Sequence, residues 1–454
     1  MPRTKDMTVG SPAKLIVLFS LPIIAGNLLQ QVYALVDALI VGRADGVVAL
    51  AAVSSSGWLD WAVLSIAIGL AQGFAIQVAQ AFGANQPEEL RTAAGQSILL
   101  SILTVVLLES AAQGLLLPAL RLLQTPEDTF RLTALYLRII FGGLPFVMCG
   151  NLCGAFLRAV GDSRTPMLAV IIATLSNICL DTLFVVGFRW GVAGAAVATI
   201  TAQGTNAAVC LLGVRRLPLF RLQKEHLTPR PAVCRRLVRL GLPVAMQNFI
   251  ISIGGLVLQR VVNSFGFLFM AGYSTASRFQ GMLEMAGSSL GAGVATFTGQ
   301  NVGAQKPERV REGVRKSAWI GILLALMIMG VVLLLGRPFL TLFIEDDPAV
   351  ADQVLDYAST FLRVMSAGLS ALYLLFVFRS ALQGMGDTLI PMLSGVVELI
   401  MRVLSALLLP RLLGEWGVYL AEVLAWLGAM LLLMFGYLYR ARSIEKPKAT
   451  AQSA

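Results

Sequence analysis

Three residues in one apolar run, Thr174, Asn177 and Asp181, carry the chemistry that this chain most clearly offers. They are spaced i, i+3 and i+7, so on a helix they share one face. An aspartate at bilayer depth costs roughly 2.5–3.5 kcal/mol, so it faces a bundle interior or a wet cavity. The first apolar run repeats the design: Asn27, Gln30 and Tyr33 lead to a second carboxylate, Asp37. In the run from Gly191, Thr199, Gln203 and Asn206 keep helical spacing without a charge. Together these runs predict three helices lining one polar cavity with two acids in it. Buried amides and hydroxyls also hold membrane helices to one another. That role does not need a carboxylate, which makes Asp37 and Asp181 the functional candidates. Two neighbouring acids titrate as a pair and can share a proton. With oxygens from Asn177 and Thr199, they could instead coordinate sodium.

The elements that position these residues follow from composition. The chain is 57% hydrophobic and only 13% charged, with a mean hydropathy of +0.78. Soluble domains carry roughly 25% charge. Apolar runs of about 20 residues recur throughout, long enough to cross a bilayer as helices. About twelve are expected, centred near Ala25, Leu64, Val105, Gly143, Ala173, Gln203, Gly254, Gly287, Leu326, Leu369, Val397 and Leu427. The fold class is therefore an all-α polytopic membrane protein with twelve transmembrane helices in two pseudo-symmetric six-helix bundles. No small-residue cleavage site follows the first run, so it is expected to be retained.

The net charge of +10 reads as topology rather than nucleic-acid binding. Lysines and arginines cluster at the amino terminus, at 215–239, at 306–316 and at 440–448. Such clusters mark the cytoplasmic side, so both termini are expected there. No basic folded module for nucleic acid is visible. Five cysteines, mostly within spans, form no disulfide or metal pattern. The one histidine, His226, lies in a basic loop and reads as solvated.

Three motifs occur twice. Leu21-Pro22-Ile-Ile-Ala-Gly-Asn27 returns as Leu242-Pro243-Val-Ala-Met-Gln-Asn248. Gln80-Ala-Phe-Gly83-Ala-Asn-Gln-Pro87-Glu88 returns as Gln300-Asn-Val-Gly303-Ala-Gln-Lys-Pro307-Glu308. Gly161-Asp162-Ser-Arg-Thr-Pro166-Met167 returns as Gly386-Asp387-Thr-Leu-Ile-Pro391-Met392. Nearly equal separations imply duplicated halves. The expected organisation is an amino-terminal lobe at 1–215, a basic cytoplasmic linker at 216–236 resting against anionic lipid, a carboxy-terminal lobe at 237–445, and a disordered tail at 446–454. Transporters built from repeats bind substrate near the repeat interface. The glycines of these turns allow tight reversals, and an aspartate before a helix can cap it.

With these residues in order, the chain resembles the multidrug and toxic compound extrusion (MATE) transporters. The resemblance rests on Val41-Gly42-Arg43 with Ala49-Leu50-Ala51-Ala52-Val53, Arg158-Ala-Val-Gly161-Asp162 with Pro166-Met167, Asn177-Ile-Cys-Leu-Asp181, Gly191-Val-Ala-Gly194, and Gly299-Gln300-Asn301-Val-Gly303-Ala304. It implies secondary active export of organic cations or amphipathic compounds by alternating access. The exchanged ion would be an inward-moving proton or sodium, with no cofactor besides that ion and no enzymatic activity. It also implies a bacterial inner-membrane location and a monomer. Asp37, Asp181, Asn177 and Thr199, with Gln30 and Tyr33, match the family's cation-coupling site. The seventh and tenth runs lack the acids that some members carry, which resembles the DinF-like branch. Asn27, Gln203, Asn206, Glu284 and Met282 are the further substrate-cavity candidates. Glu284 would attract cations, and Met246, Phe249, Phe279 and Met282 would suit a deformable pocket.

Other charges have plainer readings. Glu398 and Arg402, spaced i, i+4, predict an internal ion pair. Arg260, Arg278, Arg363 and Arg379 fall nearer span ends. The alternative function is a flippase or exporter of a lipid-linked or amphipathic metabolite, which would favour extra spans and a strongly cationic cavity. Gly384-Met-Gly386-Asp387 has the outline of an intramembrane protease motif, but Asp387 has its duplicate in the turn at Asp162.

Overall fold

The computed structural model describes residues 4–341 and 348–445, apart from the side chains at 32–39, 41–52, 54–55, 58, 348–349 and 443–445. The expected tail at 446–454 lies outside the described residues. The described regular structure is helical. It runs α1 Pro12–Gly83, α2 Pro87–Leu122, α3 Glu127–Gly142, α4 Leu144–Ala159, α5 Arg164–Asp181, α6 Gly191–Arg215, α7 Pro231–Asn263, α8 Phe267–Gly303, α9 Pro307–Leu340, α10 Pro348–Gly384, α11 Leu389–Leu408, α12 Pro410–Leu413 and α13 Glu415–Glu445.

Each of the twelve expected centres falls on a helix or at the junction of two. The first two lie in one helical run, α1, within which Pro12–Gln31 and Leu59–Gly83 are each apolar and long enough to cross a membrane. The fourth is split. Helices α3 and α4 meet at 46°, where the sequence reads Gly142-Gly143-Leu144-Pro145. Proline lacks the N–H that would continue the ladder and clashes with the preceding turn. The Gly143 amide closes the first helix on Ile140 O at 2.9 Å. Helix α8 carries the eighth centre, and Arg278, Gln280 and Glu284 lie within it.

The chain divides into two compact units. The first holds residues up to Asp6 and Leu21–Phe249; the second holds Met7–Ser20 and everything from Ile250. Compactness follows contacts rather than composition. In the second unit, the Met7 amide donates to Gln300 Oε1 at 2.8 Å, and the Met7 carbonyl accepts from Asn301 Nδ2 at 3.2 Å. The leading segment is thereby strapped to the last turn of α8.

In the first unit, the basic segment packs on α2 by an equivalent device. Gln96 is fully buried. Its Nε2 donates to the carbonyls of His226 and Thr228, both at 2.8 Å, and its Oε1 accepts from the Arg230 amide at 2.8 Å. His226 is buried, in contrast to the solvated residue that its loop position suggests. Its Nδ1 accepts from the Gln223 amide at 2.9 Å, so Nε2 carries the proton and donates to Glu88 Oε2 at 2.9 Å. Sequence alone hides this, because Glu88 and Gln96, which hold the segment on α2, lie over a hundred residues away in chain order.

Packing inside both units depends on the absence of side chains at equivalent positions. In the first unit a Cβ on Gly73 would sit 2.3 Å from Gly241 Cα, so α1 and α7 touch backbone to backbone. In the second, a Cβ on Gly293 would come within 2.5 Å of Ser20 Oγ. Gly73 and Gly293 each lie seven residues before the duplicated glutamines Gln80 and Gln300. The duplicated turns behave alike as well. Gly161 and Gly386 have φ of 87° and 82°, a region open to glycine. Asp162 Oδ1 accepts from the amides of Arg164 and Thr165, both at 3.0 Å, capping α5. Asp387 accepts from the Ile390 amide at 3.4 Å in the same position before α11. These aspartates are structural caps.

Candidate functional site

Helices α5 and α6 pack together in the first unit. Their polar stripes face one partly open cavity, lined by Gln30, Val170, Ala173, Thr174, Asn177, Thr199, Ala202, Gln203 and Asn206. Of the sequence-predicted residues, Gln30, Thr174, Asn177, Thr199, Gln203 and Asn206 are thus brought together. Asn27, half-buried on α1, does not line this cavity, and neither does Asp181, which is fully buried one turn beyond Asn177 rather than exposed on the cavity wall as the sequence suggested. The side chains of Tyr33 and Asp37 lie outside the described residues. Glu284 and Met282 lie on α8 in the second unit, where Glu284 Oε1 accepts from Gln280 Nε2 at 2.7 Å. The lining residues that sequence reading passed over are Val170, Ala173 and Ala202. Their only signal was position, within about a turn of Thr174, Asn177 and Thr199.

Burial sharpens the chemistry. Asp181 is 0% exposed and Asn177 1%. Among the described residues, neither Asn177 Oδ1 nor Nδ2 has a hydrogen-bond partner, and Thr199 Oγ1 has none. A buried polar group without a partner costs about 1–3 kcal/mol. Both groups lie on the cavity wall, and Asn177 is one helical turn before the buried Asp181. The backbone adapts at the same place. After Asp181 the helix widens into a π-turn, Thr182–Gly187, in which the Phe188 amide reaches back to Leu183 O at 2.8 Å. Such turns cluster at functional sites, because the extra residue re-aims the side chains beside it.

The second unit carries a different buried constellation. Arg402 Nη2 donates to Glu398 Oε1 at 2.8 Å, which is the expected pair within α11. Two helices add to it. Glu422 on α13 accepts from Arg402 Nε at 3.1 Å, and Arg379 on α10 donates to Glu398 Oε2 at 3.0 Å. The sequence places Arg379 near a span end, yet its side chain is only 12% exposed. Glu422 was the missed member: its one signal was a lone acid in an apolar run.

A helical membrane protein assembled from two copies of one unit, with a polar cavity between the helices of the first, has the architecture of a transporter. The family model MatE matches residues 22–183 and 243–408, once in each half. The chain belongs to the MatE family of transporters. It is similar, at 28% identity over 438 residues, to the probable multidrug resistance protein YoeA of Bacillus subtilis (strain 168), with 92% of each chain covered. It is 30% identical over 348 residues to the probable multidrug resistance protein YpnP of the same organism, covering 76% of this chain and 78% of the relative. A solved structure, described as the outward-facing conformation of a multidrug resistance MATE family transporter of the MOP superfamily, shares the fold. Its TM-score is 0.90 at 22% identity, covering 98% of this chain and 100% of that chain.

Proposed function

We propose that this chain is a secondary active multidrug antiporter of the DinF-like branch. It would export organic cations or amphipathic compounds in exchange for protons or sodium, from a bacterial inner membrane with both termini cytoplasmic. The observation that carries this reading is the buried Asn177 amide, which has no hydrogen-bond partner among the described residues, lines one cavity with Thr199 and lies one turn from Asp181. The relatives' names as multidrug resistance proteins supply the substrate class.

The mechanism follows from desolvation. A carboxylate as deeply buried as Asp181 is costly to keep charged, and a proton or a metal cation relieves that cost. Asn177 Oδ1 and Thr199 Oγ1 are neutral oxygens that suit either a coordinated sodium or a hydrogen-bonded acid. Asp37 is proposed as the second acid of this site and Tyr33 as a neighbour. Gln30, Gln203 and Asn206 would line the drug's path, with Asn27 at its edge and Glu284 and Met282 serving the carboxy-terminal lobe. Cation entry displaces drug only if it binds one conformation better than the other. The lobes, 1–215 and 237–445, would supply those two conformations by rocking about the linker.

The test is efflux of a fluorescent organic cation from proteoliposomes, with a proton or a sodium gradient imposed separately, for wild type beside Asp181→Asn. Gradient-driven efflux that vanishes in the variant supports the reading, and the effective gradient names the ion. Equal efflux by both proteins removes Asp181 from the coupling site. No cation efflux under either gradient argues against the substrate class and favours a lipid-linked or other amphipathic cargo.

A further inference from the structure

The two halves can be aligned by their helix starts. Helix α5 begins at Arg164 and α11 at Leu389, each two residues after its capping aspartate. Thirteen residues on, α5 carries Asn177 and α11 carries Arg402. Nine residues on, the positions are Ala173, which lines the cavity of the first unit, and Glu398. The partner helices correspond in the same way. Helix α6 packs on α5 and α13 on α11. The shared Trp-Gly-Val at 190–192 and 416–418 aligns Glu422 with Ala196 rather than with Thr199, whose counterpart is Ala425. On α11 the carboxy-terminal repeat therefore places Glu398 and Arg402 at positions equivalent to Ala173 and Asn177 of the amino-terminal cavity, and Glu422 joins them from α13.

The contents differ in one respect. Where α5 offers a neutral amide with no hydrogen-bond partner among the described residues, α11 offers a guanidinium. That guanidinium is bracketed by carboxylates from two helices: Glu398 Oε1 at 2.8 Å and Glu422 Oε2 at 2.9 Å from Arg402 Nη2. All three residues are buried, at 4%, 5% and 9% exposure for Glu398, Arg402 and Glu422. Space is reserved for the cation. A Cβ on Gly254 of α7 would sit 2.6 Å from Arg402 Nη1. Arg379 supplies the second positive charge, so two arginines face two glutamates. Beyond them, Glu284 and Tyr273 on α8 lie within electrostatic reach of the cluster.

We infer that Glu398 and Glu422 form a cation site in the carboxy-terminal repeat that the Arg402 guanidinium fills permanently, a tethered cation where the amino-terminal repeat takes an exchangeable one. That the amino-terminal cation exchanges rests on the function proposed above; the filled site does not. The consequence is that this half needs no ion from solution, because its carboxylates meet a positive charge in every conformation that keeps α11 against α13. A buried arginine suits a place between two acids, since its planar fork stays charged and satisfies both carboxylates at once.

The experiment uses the full-length protein in lipid nanodiscs, and its readout is thermal unfolding, so it does not depend on transport or on Asp181. Arg402→Ala leaves two buried carboxylates with Arg379 alone, and a fall in Tm of roughly 10 °C is expected. Methylguanidinium at about 10 mM is expected to restore at least half of that loss, and tetramethylammonium at equal concentration none; a soluble ligand stabilises only the state that binds it. Wild type, whose site is filled, should gain no more from methylguanidinium than from tetramethylammonium. The double variant Arg402→Ala with Glu422→Gln keeps the Arg379–Glu398 pair, and should regain stability without the probe and ignore it. An Arg402→Ala protein that methylguanidinium stabilises no more than wild type overturns the inference, as does one as stable as wild type. If Arg402→Ala yields no folded protein, Arg402→Lys and the double variant decide. Both folding supports the inference, and either one failing alongside Arg402→Ala overturns it.

Discussion

Gln96→Ala probes how the basic segment is held. The side chain is fully buried and joins α2 to three backbone groups 130 or more residues away, the carbonyls of His226 and Thr228 and the amide of Arg230, each at 2.8 Å. A net hydrogen bond contributes about 0.5–1.5 kcal/mol. Three lost together come to about 1.5–4.5 kcal/mol, and each 1.4 kcal/mol is a factor of ten in an equilibrium. Local opening of the segment should therefore become roughly ten to a thousand times more populated, without the whole chain unfolding. Limited tryptic digestion in the native state reads this directly, because cleavage follows the open population when reclosing is fast. The informative bonds are those after Arg221 and Lys224, both exposed. Arg230 precedes a proline and is a poor site. A cleavage rate within twofold of wild type at both bonds would refute the claim that Gln96 holds this segment.

Asn177→Leu should separate stability from function. It removes a buried amide with no partner among the described residues, so Tm should hold or rise, by up to about 1–3 kcal/mol in stability, while gradient-driven efflux falls at least tenfold; a clear loss of stability would show that the amide is structural. Gly73→Ala should lower Tm markedly, since its Cβ would lie 2.3 Å from Gly241 Cα, whereas Gly330→Ala, with nothing within 4 Å, should be neutral or gain up to about 1 kcal/mol in helix propensity; thermal unfolding of the pair side by side checks this. His226→Leu forfeits the bonds to Glu88 and to the Gln223 amide, and amide exchange at 223–228 should quicken severalfold, with exchange in α10 unchanged.

Much of this protein was decided by local sequence. Apolar runs of bilayer length, the doubled motifs and the clustered basic residues dictate a duplicated helical membrane protein, because backbone in lipid must satisfy its own hydrogen bonds. The stripe of Thr174, Asn177 and Asp181 was legible for the same reason: helical period alone puts the three on one face, and a carboxylate in an apolar run is too costly to be incidental. Period also gave the Glu398–Arg402 pair.

What period cannot give is the partner from another helix. That Glu422 and Arg379 complete the cluster around Glu398 and Arg402, that His226 is buried against Glu88, and that Gln96 clasps a segment far along the chain are all products of packing. Each joins residues with no mutual pattern in the sequence, and their burial depends on which helices meet. The break between α3 and α4 lies between the two cases: its glycines and proline are visible locally, but the 46° angle is a property of the folded chain. Likewise, the sequence supplies Asn177 in one half and Arg402 in the other, while only tertiary contacts bring Glu422 and Arg379 to the second cluster. The sequence determines which groups enter the membrane. The neighbours they meet there, and hence whether a buried polar atom is satisfied or left free to bind, are set by the fold.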